Sequence, residues 1–443
     1  PFLQPNRGIM RRGLQSPLQE ELVDGDFDKV WLNHPFVPFL DSGDATLRVL
    51  RNLSELSPTK AGVMKSKLGY ATAKGIDLIK SKDVLIKRQR GGEEVISDAA
   101  HDEYVDFLKS HLDVNKLSED IIETAKNHEI YGNEIVEFVL VETAGIRGGG
   151  VNCIQTEWFR YMQSDRKVVG QQWAYLSPRW TLEYTNEFPP IEYPMYPNWK
   201  QFPDGSYRCL YHTKERAANR TWYGLPGDFA SIYYQYMEYQ SGKFATRSYE
   251  NQFLPSVIME MYGIPDAADK AKSEAWRAMM YDDMSNVFTN RRDGAKPPMM
   301  LLKGGMTGEG APLKSNITQL NPNTGEGFHE AMKDISQAQI LKCNEWHSSL
   351  IEKSAGSLGN ESAFTQIAMQ VDATVITPLQ EKALKPYREF LKVLEQWVGY
   401  QNSEGITIGL RSVFESFTTK ATIDAAAKLT PSPEPAQPAT IGI

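Results

Sequence analysis

Between Phe229 and Tyr249 large side chains return every three or four residues: Phe229, Ile232, Tyr233, Tyr236, Tyr239, Lys243, Phe244 and Arg247. That step is helical. The turn residues Tyr223-Gly224-Leu225-Pro226 stand in front of the run, and Asp228 stands where a capping carboxylate belongs. The helix is predicted to stop at Asn251, after which Val257, Ile258 and Met259 read as a strand.

The same reading extends in both directions. The first ~40 residues mix Pro, Gly and charge without a period and read as an extended arm. Residues 42–80 hold two helical stretches, with Leu47, Leu50 and Leu53 on one face and Val63, Leu68 and Ala71 along the next. Residues 102–129 are helical again, from Tyr104, Phe107 and Leu108 to Leu117, Ile121 and Ala125. From Ile135 to Val139 the chain turns β-branched and aromatic, hence strand. Residues 150–222 are rich in Trp, Tyr and Pro with short alternating stretches, which predicts a small antiparallel sheet region.

Beyond the tyrosine-rich helix come a strand, a helix over Ala271–Phe288 and a second strand at 298–302. A long helix from Gly327 to Ile351 carries Phe328, Met332, Ile335, Ile340, Leu341 and Trp346 as its apolar ridge. Gly356 and Gly359 break it. A further helix, Ala363 to Trp397, should be kinked by Pro378 and Pro386, each of which removes a backbone donor. Ile406, Ile408 and Leu410 alternate as a last strand, and the tail from Leu429 is too rich in Pro and Ala to build a core. Irregular helix–strand alternation of this kind predicts an α+β protein rather than a wound parallel sheet.

Composition narrows the classes. At 443 residues the chain needs two or more packed regions, and 41% hydrophobic with 23% charged residues is the balance of a folded protein. A net charge of −8 argues against holding nucleic acid by basicity alone. Three separated cysteines exclude a complete disulfide framework and fit synthesis in a reducing compartment. No apolar run approaches the roughly 18 residues a bilayer demands, so no membrane role is expected.

Catalytic chemistry finds no foothold. Ser241-Gly242-Lys243 is similar to the end of a phosphate-binding loop, but Met237 and Phe244 stand where that loop needs Gly and Ser/Thr, inside a predicted helix. Gly304-Gly305-Met306-Thr307-Gly308 opens no clear helix and reads as a loop. The seven histidines are scattered, with no metal spacing. Glu134 and Glu137 fall on opposite faces of their strand and cannot act as a couple. Neither an enzyme nor a cofactor is expected.

The succession Tyr-Gly-Leu-Pro, long helix, Asn-x-x-x-Pro, strand resembles the portal proteins of tailed bacteriophages. Tyr131-Gly132-Asn133 before a strand, and Leu210-Tyr211-His212 before the turn, are similar to features that family places in the same order. Downstream, Asn360-Glu361-Ser362 and Ile376-Thr377-Pro378-Leu379 resemble the portal's tunnel-loop boundary and kinked wing helix. The matches run collinearly over residues ~60 to 410.

The resemblance implies an N-terminal arm (1–40), an α+β wing (41–227), a first stem helix (228–251), a small α/β clip (252–323) and a second stem helix (324–352). A tunnel loop (353–362), the kinked wing helix with the final wing strand (363–418) and a tail with a reduced or absent crown (419–443) complete it. It implies a homo-oligomeric ring, twelve-fold in related virions, at one capsid vertex and assembled in the host bacterial cytoplasm. Double-stranded DNA would pass through it. The terminase large subunit, head–tail adaptor or neck proteins and the major capsid protein would be its partners. Lys353, Ser354, Gly356, Ser357, Leu358, Gly359 and Asn360 would face the channel as the tunnel loop, Lys333 and Lys342 would be channel cations, and Arg291, Arg292 and Lys296 would form the docking tip of the clip. An acidic chain suits such a channel, since every phosphate neutralised by a basic lining strengthens binding and would act as a brake. The alternatives are another head–tail adaptor ring protein, usually smaller, or a virion-associated enzyme.

Overall fold

A computed structural model describes residues 34–39, 46–80, 97–163, 172–217, 222–250, 256–261, 274, 278, 300–302, 316–320, 326–350 and 361–414. In chain order the elements are α1 (Thr46–Leu56), α2 (Pro58–Thr72), β1 (Ile76–Lys80), α3 (Asp98–His111) and α4 (Val114–Tyr131). Next come β2 (Asn133–Thr143), β3 (Ile146–Ile154), β4 (Phe159–Tyr161), β5 (Trp173–Leu176), α5 (Leu182–Glu187), β6 (Ile191–Pro194), β7 (Lys200–Gln201) and β8 (Tyr207–Lys214). They are followed by α6 (Ile232–Glu250), β9 (Ser256–Met261), β10 (Met300–Leu302), β11 (Asn316–Leu320) and α7 (Glu326–Cys343). Last are α8 (Glu361–Val371), α9 (Thr377–Val398) and β12 (Ile406–Leu410). The chain is a mixed α+β protein, and it forms two compact units, one from residues 1–236 with 338–443 and one from 237–337.

Local chemistry sets many of the boundaries. Ser57 caps α2 by accepting from the Lys60 N–H, with Pro58 in the first turn, where a missing donor costs nothing. Asp113 accepts from the N–H groups of Asn115 and Lys116, which splits the expected 102–129 helix into α3 and α4. Gly132 closes α4 in the left-handed conformation, at φ 64°.

In the first unit, β3-β2-β8-β7 form an antiparallel sheet in which Phe138 of β2 stands opposite both Val151 of β3 and Cys209 of β8. β4-β5-β6 form a second antiparallel sheet, extended past β4 by the Phe36–Met162 bridge and linked to β8 by the Met195–Leu210 bridge. β1 pairs with β12, Leu78 opposite Ile408, although residues 72–80 fall in the stretch read as helical. Ile76-Asp77-Leu78-Ile79 does alternate, but its partner is far away in sequence. One core gathers Tyr104, Ile121, Val136 and Phe138 beneath Leu384, Tyr387, Phe390 and Leu394 of α9, with Ile406 and Ile408 of β12. A second surrounds Leu47, Leu53, Ile135, Phe159, Tyr223 and Ile232. A third holds Val63, Leu341, Trp346, Val375, Ile376 and Phe414.

Two helices depart from the pattern. α7 ends at Cys343, short of Ile351; Glu345 takes φ 51°, and Trp346 is buried beyond the helix end. Between α8 and α9 residues Asp372–Ile376 form a π-helical turn. Pro378 lies in the first turn of α9 right after it, where its missing N–H leaves no α-helical donor to the carbonyl four residues back. Pro386 lies inside α9, and the helix continues through it.

The second unit contains a three-stranded sheet, with β10 parallel and β11 antiparallel to the central β9. Residues 257–260 and 298–302, both read as strands, pair with each other through Met259↔Met300 and Glu260↔Leu301, while β11 was not anticipated. Of the expected 271–288 helix, only residues 274 and 278 are described, and both are helical.

Candidate functional site

The Tyr-Gly-Leu-Pro turn owes its two-glycine requirement to close backbone contact. A Cβ on Gly132 would overlap the Leu225 carbonyl and Pro226 nitrogen, and one on Gly224 would overlap the carbonyl oxygens of Glu215 and Gly132. The Glu215 N–H donates to the Gly132 carbonyl at 2.8 Å. Asn133, fully buried, completes the seam: its amide Nδ2 donates to the carbonyls of Tyr131 (2.7 Å) and Gly224 (3.1 Å), and its Oδ1 accepts from the Gly224 N–H at 2.8 Å.

That orientation of Asn133 fixes a histidine. Oδ1 also faces His212 Nε2 at 3.0 Å, so Nε2 carries the hydrogen, and Nδ1 is left to accept from the Tyr161 hydroxyl at 2.7 Å. Burial pushes the His212 imidazole down to about 3, which keeps it neutral. Tyr223 ties the turn to the second sheet: its hydroxyl accepts from the Tyr161 N–H (3.0 Å) and donates to the Val37 carbonyl (2.9 Å).

Immediately after the turn lies a buried ionic knot. Lys60 and Lys67 are seven residues apart in α2, which puts both on the inward face beside Val63. Lys60 Nζ meets Asp228 Oδ2 at 2.8 Å, and their side chains are 3% and 6% exposed. The same Oδ2 accepts from Gln235 of α6 (3.0 Å) and from Asn344 just past α7 (3.2 Å). Asn344 Oδ1 in turn faces both lysines at 3.3 Å. Asp228 was expected to cap the following helix; its carboxylate makes no cap bond and is taken by these donors instead.

Lys67 also pairs with Glu129 of α4 at 2.9 Å. Burial alone would push the Glu129 carboxyl up, but Lys67 and then Lys60 outweigh it and hold the group at about 2. The Asp228 carboxylate therefore joins the start of α6, the residue just past α7 and Lys60 of α2, all within the first unit.

A cleft of about 210 Å³ opens beside the knot, lined among others by Lys67, Glu215, Cys343, Asn344, Thr374 and Lys382. Glu215 pairs with Lys382 and lies 3.5 Å from His128 Nε2. No group of three or more His, Cys, Asp or Glu side chains with metal-binding geometry occurs among the described residues. Burial pushes the thiols of Cys153, to about 12, and Cys209 upward, away from nucleophilic thiolate. Ser241-Gly242-Lys243 lies inside α6, without the strand-to-helix turn a phosphate loop requires. The chemistry displayed here is ion pairing that fixes a joint.

Of the residues singled out from sequence, Lys333 and Lys342 are exposed on α7. Nine residues separate them, roughly two and a half turns, so they point to opposite sides of the helix. Arg291, Arg292 and Lys296, and the loop residues Lys353, Ser354, Gly356, Ser357, Leu358, Gly359 and Asn360, lie outside the described residues. Lys60, Lys67, Glu129 and Asn344 were missed. Two lysines interrupting the apolar stripe of α2 at a seven-residue interval were the available signal.

No family model matches the sequence, and no curated protein does. Among solved structures the chain is similar to one in the neck of an empty gene transfer agent particle computed with C6 symmetry, with 14% identity and a TM-score of 0.48. That match covers 88% of this chain and 91% of the other. It is also similar to a chain in the virion of a native gene transfer agent particle, with 14% identity, a TM-score of 0.47 and the same coverage. A third is in the neck of a native particle computed with C12 symmetry, with 16% identity, a TM-score of 0.44, and 86% and 91% of the two chains covered.

Proposed function

We propose that the chain is the portal subunit of a tailed double-stranded DNA phage or a particle derived from one, closing into a ring through which DNA is packaged and ejected. The observation that carries this reading is the shared carboxylate. Asp228 at the start of α6 and Asn344 at the end of α7 are 116 residues apart yet meet at 3.2 Å in one core. A stem that leaves a wing by one helix and re-enters it by another needs such a common root.

On this reading residues 41–227 and 363–418 form the wing, α6 and α7 the stem, 252–323 the clip and 353–362 the tunnel loop. The clip's Arg291, Arg292 and Lys296 offer a basic tip to the terminase motor and afterwards to the neck proteins. Because Lys333 and Lys342 diverge on α7, a lumen lined by one face of that helix takes one of them. The other then faces a neighbouring subunit or solvent. The role is structural and the location is the capsid vertex. Ring closure follows from a repeated head-to-tail contact between identical subunits.

Negative-stain microscopy of the purified protein tests the assignment. Rings with a central hole are expected, and a stable monomer at micromolar concentration with no larger species would defeat it. Charge reversal at Arg291 and Arg292 then separates portal from adaptor: rings should persist while packaging into empty heads fails.

A further inference from the structure

We propose that the buried pair His128–Glu134 holds one shared proton at neutral pH, so that the joint beneath α6 is fastened by a proton and loosens as pH rises. Glu134 is the second residue of β2, and its side chain is 0% exposed. Apart from His128, neither of its carboxyl oxygens has a hydrogen-bond partner. His128 Nδ1 lies 2.8 Å from Oε1, close enough for one proton to serve both, and is the cation-forming group against it.

The surrounding charges do not supply a counterion. Lys382 of α9 is taken by Glu215, which also faces His128 Nε2 at 3.5 Å. Glu129, beside His128 on α4, is matched by Lys67 and Lys60. Lys385 of α9 acts only through space and is exposed, and the phenols of Tyr211 on β8 and Tyr387 on α9, within electrostatic reach of Glu134, bring no positive charge. A carboxylate left bare in this position would carry an uncompensated buried charge. One proton on the pair removes it, whether as imidazolium with carboxylate or as neutral imidazole with carboxylic acid.

Burial pushes the Glu134 carboxyl up, with His128 opposing, which agrees in direction. A raised folded value means stability present at low pH and lost as pH rises through that value. Between about 4.3 and 6.5 the unfolded pair also carries one proton, on its histidine, so no slope arises there. Above about 6.5 the unfolded pair gives that proton up, whereas giving it up in the folded chain would leave the buried carboxylate beside His128 uncompensated.

The joint inherits this dependence because Glu134 follows Asn133 and Gly132, the residues zipped to Gly224 and Glu215 ahead of Asp228. Urea unfolding of wild type and Glu134→Gln at pH 6.5, 7.5 and 8.5, at one protein concentration, tests it. The wild-type folding constant should fall about tenfold per pH unit more steeply than the variant's, the slope of one proton. Parallel slopes would overturn the proposal. Should the variant not fold, refolding wild type in unbuffered solution at pH 7.5 should take up a proton, and no uptake would overturn it equally.

Discussion

Removing Lys67 tests the ionic knot most sharply, because it deletes the chief partner of a largely buried carboxylate. Lys67→Met keeps the stem of the side chain and removes the charge. In the wild type Glu129 is held at about 2 against an ordinary 4.5, which is 4.5 − 2 = 2.5 pH units. At roughly 1.4 kcal/mol per unit this is about 3 kcal/mol of stability at neutral pH. A depressed carboxyl contributes above its unfolded value and loses the contribution as pH falls from about 4.5 toward 2. With Lys67 gone, burial is opposed chiefly by Lys60 and the carboxyl rises, so the variant should be destabilised by about 3 kcal/mol at pH 7. The gap to wild type should close on acidification, since protonating Glu129 relieves the variant and costs the parent. Urea midpoints and slopes at pH 7, 5 and 3.5 read both effects. A variant within about 1 kcal/mol of wild type at pH 7, or a gap that widens in acid, would show that the knot is not held by this pair.

Gly224→Ala should cost about 3 kcal/mol or more, or leave no soluble protein, because its Cβ meets two backbone carbonyls that cannot move aside; thermal melts report it. Tyr223→Phe removes both bonds of one hydroxyl and should cost about 1–3 kcal/mol in urea unfolding, with the fold retained. His212, held neutral at about 3, contributes stability above an unfolded value near 6.5 that is lost as pH falls toward 3. A His212→Gln protein should therefore show a shallower acid limb over that window. In the portal reading, a Lys353→Ala, Leu358→Ala double variant should form rings by microscopy yet package or retain DNA poorly.

The elements legible in the sequence were those whose cause is local. The period of α6, the Gly132 stop and the β-branched run of β2 all carry their own signals. β1 was illegible because five residues with a weak alternation become a strand only when β12 reaches them. The knot was hidden for a related reason. Lysines on a helix read as solvated until their partners are known, and those partners come from α4, the turn at Asp228 and the end of α7. The break before α9 was legible in Pro378, but its form, a π-helical turn ahead of the proline, depends on how Val375 and Ile376 pack.

The core that places Phe138 of β2 5.2 Å from Phe390 of α9 sets a timetable for synthesis. Phe390 follows Phe138 by 390 − 138 = 252 residues. At roughly 5–20 residues per second, the sheet waits on the order of 10–50 seconds on the ribosome for the helix that covers it. Throughout that interval Val136 and Phe138 lack the α9 side chains that bury them in the finished core. All 101 residues of the other unit are made in between, 337 − 237 + 1. The nascent chain therefore carries an open apolar face for most of its elongation. It calls for a chaperone holding that face, and slowing translation should raise the fraction lost to aggregation.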